Sequence, residues 1–173
     1  MDMSRDLARM TAQLKGPRYE GALIGRIIWE RRPGDTGGKM QVLRDQHGLL
    51  EVAAADLSGR LTLVMMLGHA APVRSGKGSR KNRPLTLRVA GPLPKGPLSF
   101  SFSAEEVHDF VRAVGDTNPL HAGEEPVVPG LLIFEAALRH PALAGVSRAE
   151  MRFHGAFFAG ETVEIHLQSL SGK

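Results

Sequence analysis

The chain has 173 residues, with 22 Lys+Arg, 18 Asp+Glu, seven His and no cysteine. That length fits one domain, or one domain with an appendage, and 42% hydrophobic against 23% charged residues is an ordinary globular balance. Without cysteine there is no disulfide scaffold, thiol nucleophile or thiolate metal site, and no apolar run approaches the roughly 18 residues of a membrane span.

Ser4 to Leu14 reads as a short helix with Leu7, Met10 and Leu14 on one face, ended by Gly16-Pro17. It is charged and lacks the apolar centre of a signal peptide, so a soluble, cytoplasmic protein is expected. Strand-like runs follow. Leu23 to Arg31 ends at Pro33-Gly34, and a Gly34 to Gly38 turn leads to Lys39 to Asp45. After a turn at Gln46-His47-Gly48, Leu49 to Leu57 and Arg60 to Leu67 complete an antiparallel meander. Trp29 is expected to pack on the sheet and Met65-Met66 in the core.

Residues 72–97 hold five of the eleven prolines and a basic cluster, Arg74, Lys77, Arg80, Lys81 and Arg83. They read as a linker between an N-terminal part, 1–71, and a second part, 98–173, with a strand-like run at Leu85 to Ala90. The basic cluster reads as a solvated segment. A contact to phosphate or to an acidic carrier is the functional alternative. Nucleic acid is disfavoured, because no aromatic residue lies among those charges.

Leu98 to Phe102 alternates as a strand. Ser103 with Glu106 three residues on forms a capping-box pattern before a helix carrying Val107, Phe110, Val111 and Val114, stopped by Gly115. A loop, Asp116 to Pro129, precedes a second helix, Gly130 to His140, apolar nearly all round and therefore buried. Its one carboxylate, Glu135, is expected to be enclosed in apolar surroundings that keep it protonated. Two strand-like runs, Ala149 to Phe158 and Glu161 to Leu170, follow. Of the other histidines, His108, His154 and His166 are expected on the surface, and His140 at the negative end of the helix dipole. No spacing suggests a metal site, and no cofactor motif is present.

The polar groups gather in Gly115-Asp116-Thr117-Asn118-Pro119-Leu120-His121, between the two apolar helices. A capped surface loop accounts for that segment alone. With the Gly130 amide at a helix N-terminus and Glu135 five residues on, an acid/base set becomes available: a His base, a carboxylic acid, and an N–H aimed at an oxygen. Proton abstraction alpha to a thioester carbonyl suits such a set.

GDTNPLH resembles the signature of the MaoC-like (R)-specific enoyl hydratases, which implies Asp116 and His121 as a catalytic pair within one subunit. The run from His121 to Glu135 is similar to the beta-hydroxyacyl-ACP dehydratases, which implies His121 with Glu135 across a dimer, and the Gly130 amide as oxyanion donor. Arg152-Phe153-His-Gly-Ala-Phe-Phe-Ala-Gly160-Glu161-Thr-Val resembles the strand-turn-strand of both, with Ala156 where a proline is usual. The likeness covers about residues 98–170. It implies an α+β hot-dog fold, an antiparallel sheet wrapped around a long central helix. It also implies a homodimer or dimer of dimers, no cofactor, and hydration or dehydration of an acyl-CoA or acyl carrier protein thioester. Asn118, Pro129, Leu131, Phe134 and Phe157 are the expected substrate contacts, with Phe158 a further candidate for an acyl tunnel. A thioesterase and a non-catalytic acyl-binding module are the alternatives. Hot-dog domains place two or three more strands after the counterpart of Thr162-Val163-Glu164, and residues 23–57 look like those strands. A circularly permuted hot-dog is therefore expected, with a separate N-terminal sheet as the alternative.

Overall fold

Alternating burial sets the architecture. In the computed structural model, which describes residues 5–31, 39–68, 71–72 and 84–170, eight strands form one sheet in the order β2-β3-β4-β1-β7-β5-β8-β6. They are β1 (Leu23–Glu30), β2 (Gln41–Gln46), β3 (Leu49–Asp56), β4 (Gly59–Met66), β5 (Leu85–Ala90), β6 (Leu98–Ser101), β7 (Arg148–Arg152) and β8 (Thr162–Ser169). Every neighbouring pair is antiparallel except β5 with β8, which is parallel. Period-two alternation points Ile27 and Trp29, Leu61 and Leu63, Leu85, Leu87 and Val89, and Val163 and Ile165 to the buried face. The other face carries charge: Glu150 of β7 pairs with Arg26 of β1.

The helices are α1 (Arg5–Thr11), α2 (Ala104–Val114) and α3 (Gly130–Leu138). Helix α3 touches both β1 and β6, which stand four steps apart in the sheet. A flat sheet would separate those strands by about 19 Å, at about 4.8 Å per step, whereas a helix is about 10 Å across. The sheet must therefore curl around α3. This is the hot-dog arrangement, and the fold class is α+β. The central helix is shorter than expected, ending at Leu138. Its apolar circumference is buried, with Ile133, Phe134 and Leu138 at 1%, 0% and 0% exposure. No described helix is long and apolar enough to cross a membrane, which says nothing about membrane β-barrels.

Local signals act as the sequence implies. The β2–β3 turn places His47 at φ 53° and Gly48 at φ 75°, the two positive values of a type I′ hairpin. Ser103 Oγ accepts from the Glu106 amide, and Glu106 Oε2 accepts from the Ser103 amide, completing the capping box of α2.

One alternative falls and one expectation changes. The strands of the first 71 residues and those of the last 76 share one sheet, because β1 pairs with β7. A separate N-terminal sheet is thus excluded. And 72–97 is no uniform linker: β5 is an interior strand between β7 and β8. Its prolines flank it, and Leu85, Leu87 and Val89 alternate into the core. The basic cluster and the Gly34 to Gly38 turn lie outside the described residues.

Candidate active site

The Asp116–His121 loop is built on backbone bonds. Asp116 Oδ1 accepts the Asn118 amide at 2.9 Å, the side-chain turn that Asp favours. Asn118 then bolts the loop to the chain entering β1: its Oδ1 accepts the amides of Leu120 and Gly21, and its Nδ2 donates to Ala22 O at 2.9 Å. Pro119 opens a 3-10 turn, Pro119–His121, which turns His121 inward. Asn118 is therefore chiefly a positioning residue, although it also lines the cavity described below.

His121 is 9% exposed. Its Nδ1 lies 2.7 Å from Val127 O. A carbonyl only accepts, so Nδ1 carries the proton and, in the neutral ring, Nε2 bears the lone pair. Nε2 faces Asp116 Oδ2 at 3.7 Å, too long for a direct hydrogen bond and suited to a bridging oxygen. Burial lowers the His121 pKa below its ordinary 6.5, against opposing effects of the Asp116 charge and the Val127 bond. The ring therefore stays neutral, the form a general base needs.

Two cavities meet at His121. The smaller, about 110 Å³, is walled by Ala8, Leu63, Phe110 and Leu131 and holds Asp116 and Asn118. The larger, about 380 Å³, is lined by Gly130, Ile133, Phe153, His154 and Phe157. Gly130 opens α3 behind Pro129, which offers no side-chain cap, so its amide has no intrahelical acceptor and carries the positive end of the dipole. Glycine also suits the space: a Cβ there would stand 3.2 Å from the Phe153 ring, a tight contact, and 3.5 Å from Ile24.

Of the expected contacts, Pro129, Leu131 and Asn118 line the small cavity and Phe157 the large one. Phe134 is fully buried and lines neither, nor does Phe158, whose strand position bridges to Val127. Met65 and Met66, expected as core only, each line one cavity.

Glu135 is enclosed as expected, at 2% exposure, but its surroundings are not apolar. Arg5 donates through Nε to Oε2 at 3.2 Å and through Nη2 to Oε1 at 2.9 Å. Arg139, one turn along α3, places Nη1 3.1 Å from Oε1. Both oxygens are engaged by guanidinium groups, which only donate, and Glu135 lines neither cavity at His121. Within this chain, His121 and Asp116 come together; Glu135 does not join them. No signal near residue 135 announces Arg5, which lies 130 positions away.

Three other histidines also differ in detail. His108 is half-buried, and its Nε2 has no hydrogen-bond partner among the described residues. His140 caps the next turn, its Nδ1 accepting from the Ala142 amide at 3.3 Å. His154 is exposed yet lines the larger cavity. Among the described residues no group of three His, Asp or Glu side chains is placed to hold a metal ion.

No protein-family model matches the sequence, and no curated protein matches it. Solved structures similar to this chain include two that can be compared over most of its length. HtdX from Mycobacterium tuberculosis has a TM-score of 0.45 and 17% identity, over 90% of this chain and 72% of its own. A MaoC-like dehydratase from Phytophthora capsici has a TM-score of 0.47 and 18% identity, over 87% of this chain. The chain spans 60% of that second protein.

Proposed function

We propose that this protein adds water to an enoyl thioester, or removes it from a 3-hydroxyacyl thioester, with coenzyme A or acyl carrier protein as the carrier. The observation that carries this reading is the His121–Asp116 pair. A buried imidazole with Nδ1–H committed to Val127 O presents a basic Nε2 across 3.7 Å from a carboxylate, where two cavities meet. In hydration, a water held between Nε2 and Asp116 Oδ2 loses a proton to Nε2 as its oxygen bonds to C3. The C2=C3 electron pair moves toward the thioester carbonyl, and the Gly130 amide supports the charge on that oxygen. The imidazolium, stabilised by Asp116, returns the proton to C2. Dehydration runs the same steps backward. Asp116 thus takes the carboxylate role in preference to Glu135. In the same reading β1–β3, within residues 23–57, stand in for the strands a hot-dog domain places after β8, and the assembly is a homodimer or dimer of dimers in the cytoplasm.

The test is loss of enoyl absorbance from crotonyl-CoA. Turnover should fall by about 10²- to 10⁴-fold in His121→Ala, and Asp116→Asn should cost more than Glu135→Gln. Release of free thiol in place of hydration would establish the thioesterase. Acyl binding without either reaction would establish a binding module.

A further inference from the structure

The tie between Glu135 and Arg5 has a consequence for what the site accepts. Helix α1 forms one wall of the small cavity through Ala8 and Thr11, continued by Ala12 just past its end. Seven residues make too short a helix to stand by itself, so α1 depends on its attachments. Leu7 and Ala8 are buried in the core. Arg9 Nε donates to Ala113 O, near the end of α2, at 3.0 Å. Arg5 takes both oxygens of Glu135, and its guanidinium lies 5.5 Å from the centre of the Phe110 ring. Glu135 belongs to the buried helix that Gly130 opens, so this bond joins the wall of the cavity to the element carrying the oxyanion donor.

On the hydratase reading, a thioester carbonyl at the Gly130 amide puts C3 beside His121 and Asp116. The carbons beyond C3 then enter the small cavity, which holds Asp116, while the carrier arm occupies the large one. A cavity of about 110 Å³ is smaller than the roughly 150 Å³ that accommodates benzene, so on the order of four carbons fit. Exposed Gly16 and the charged, exposed Lys15 and Glu20 also line it. A longer tail must either displace α1 or lie against charge.

We propose that α1 is the chain-length wall of this site and that Arg5–Glu135 is the latch that holds it, so that the protein takes short acyl groups. This rests on the hydratase reading for the direction in which the acyl group lies. Glu135 then acts as a positioning residue.

The experiment compares hydration of four-, six- and ten-carbon trans-2-enoyl-CoAs with calorimetric binding of the saturated acyl-CoAs of the same lengths. Wild-type protein should favour six carbons over ten by at least about tenfold in kcat/KM and in affinity. Arg5→Ala should bring ten carbons to within about threefold of six, through KM, with kcat on the four-carbon substrate unchanged, and Arg5→Lys should restore much of the selectivity. Ala12→Leu narrows the cavity without touching the latch, and should cost the six-carbon substrate about tenfold more than the four-carbon one. Equal use of six and ten carbons by the wild type, or a length ratio unmoved by both Arg5→Ala and Ala12→Leu, overturns the proposal. If no enoyl-CoA is hydrated but binding shows the same length order and the same shifts, the hydratase reading has failed and the wall stands. Absence of any acyl-CoA binding overturns both.

Discussion

At the scale of single residues, the protonation of His121 is decided by burial pulling against two contacts. Burial lowers its pKa below 6.5, while Asp116 and the Val127 carbonyl raise it. A histidine lowered in the fold binds fewer protons there than in the unfolded chain. Stability therefore rises with pH across the window from the lowered value up to 6.5, and this contribution is lost as pH falls through the lowered value. The same value should set the acid limb of the pH–rate profile. Asp116→Asn removes a raising influence, so that limb should move to lower pH, and a proton NMR titration of the His121 ring should move with it. A limb that moves up in Asp116→Asn would contradict the pairing.

At the scale of elements, α2 shows how far local chemistry reaches. Its first turn is held by the Ser103–Glu106 box and its buried face by Val107, Phe110 and Val114, two of which wall the small cavity. Ser103→Ala should cost about 1 kcal/mol in chemical denaturation. Helix α2 and its caps were legible in the sequence because each signal lies within four residues of its target. Helix α3 was legible as a buried helix for the same reason, from its unbroken apolar run. The environment of Glu135 was not, since an apolar circumference says nothing about a guanidinium arriving from α1. The Asp116–His121 pair was legible as a motif, but its working tautomer comes from Val127 O, on the far side of the loop.

At the scale of the molecule, the sheet is closed around α3 by strands from both ends of the chain, and β5 sits inside it. Leu87 of β5 is fully buried. Leu87→Ala should therefore cost about 2–5 kcal/mol, where a linker position would change stability by about 0.5 kcal/mol or less. Equilibrium denaturation separates the two. The strand-like run was visible, but the proline-rich flanks hid its place in the sheet, because six alternating residues in a long loop look the same whether or not partners stand on both sides. Pairing with β7 and β8, some 60 to 80 positions away, is what makes them a strand.

While the α+β class came with the resemblance, the capped and buried helices, most strands, and the loop that carries Asp116 and His121 were readable from the sequence. Those follow from periodicities and caps whose physics acts over a few residues. Tertiary structure alone decided the rest: the single sheet, the interior place of β5, the two cavities meeting at His121, and the binding of Glu135 by Arg5. Each depends on groups far apart in the chain being brought together. Burying apolar surface around one helix fixes which strands become neighbours, and that packing, not local spacing, chooses the partner of every buried charge.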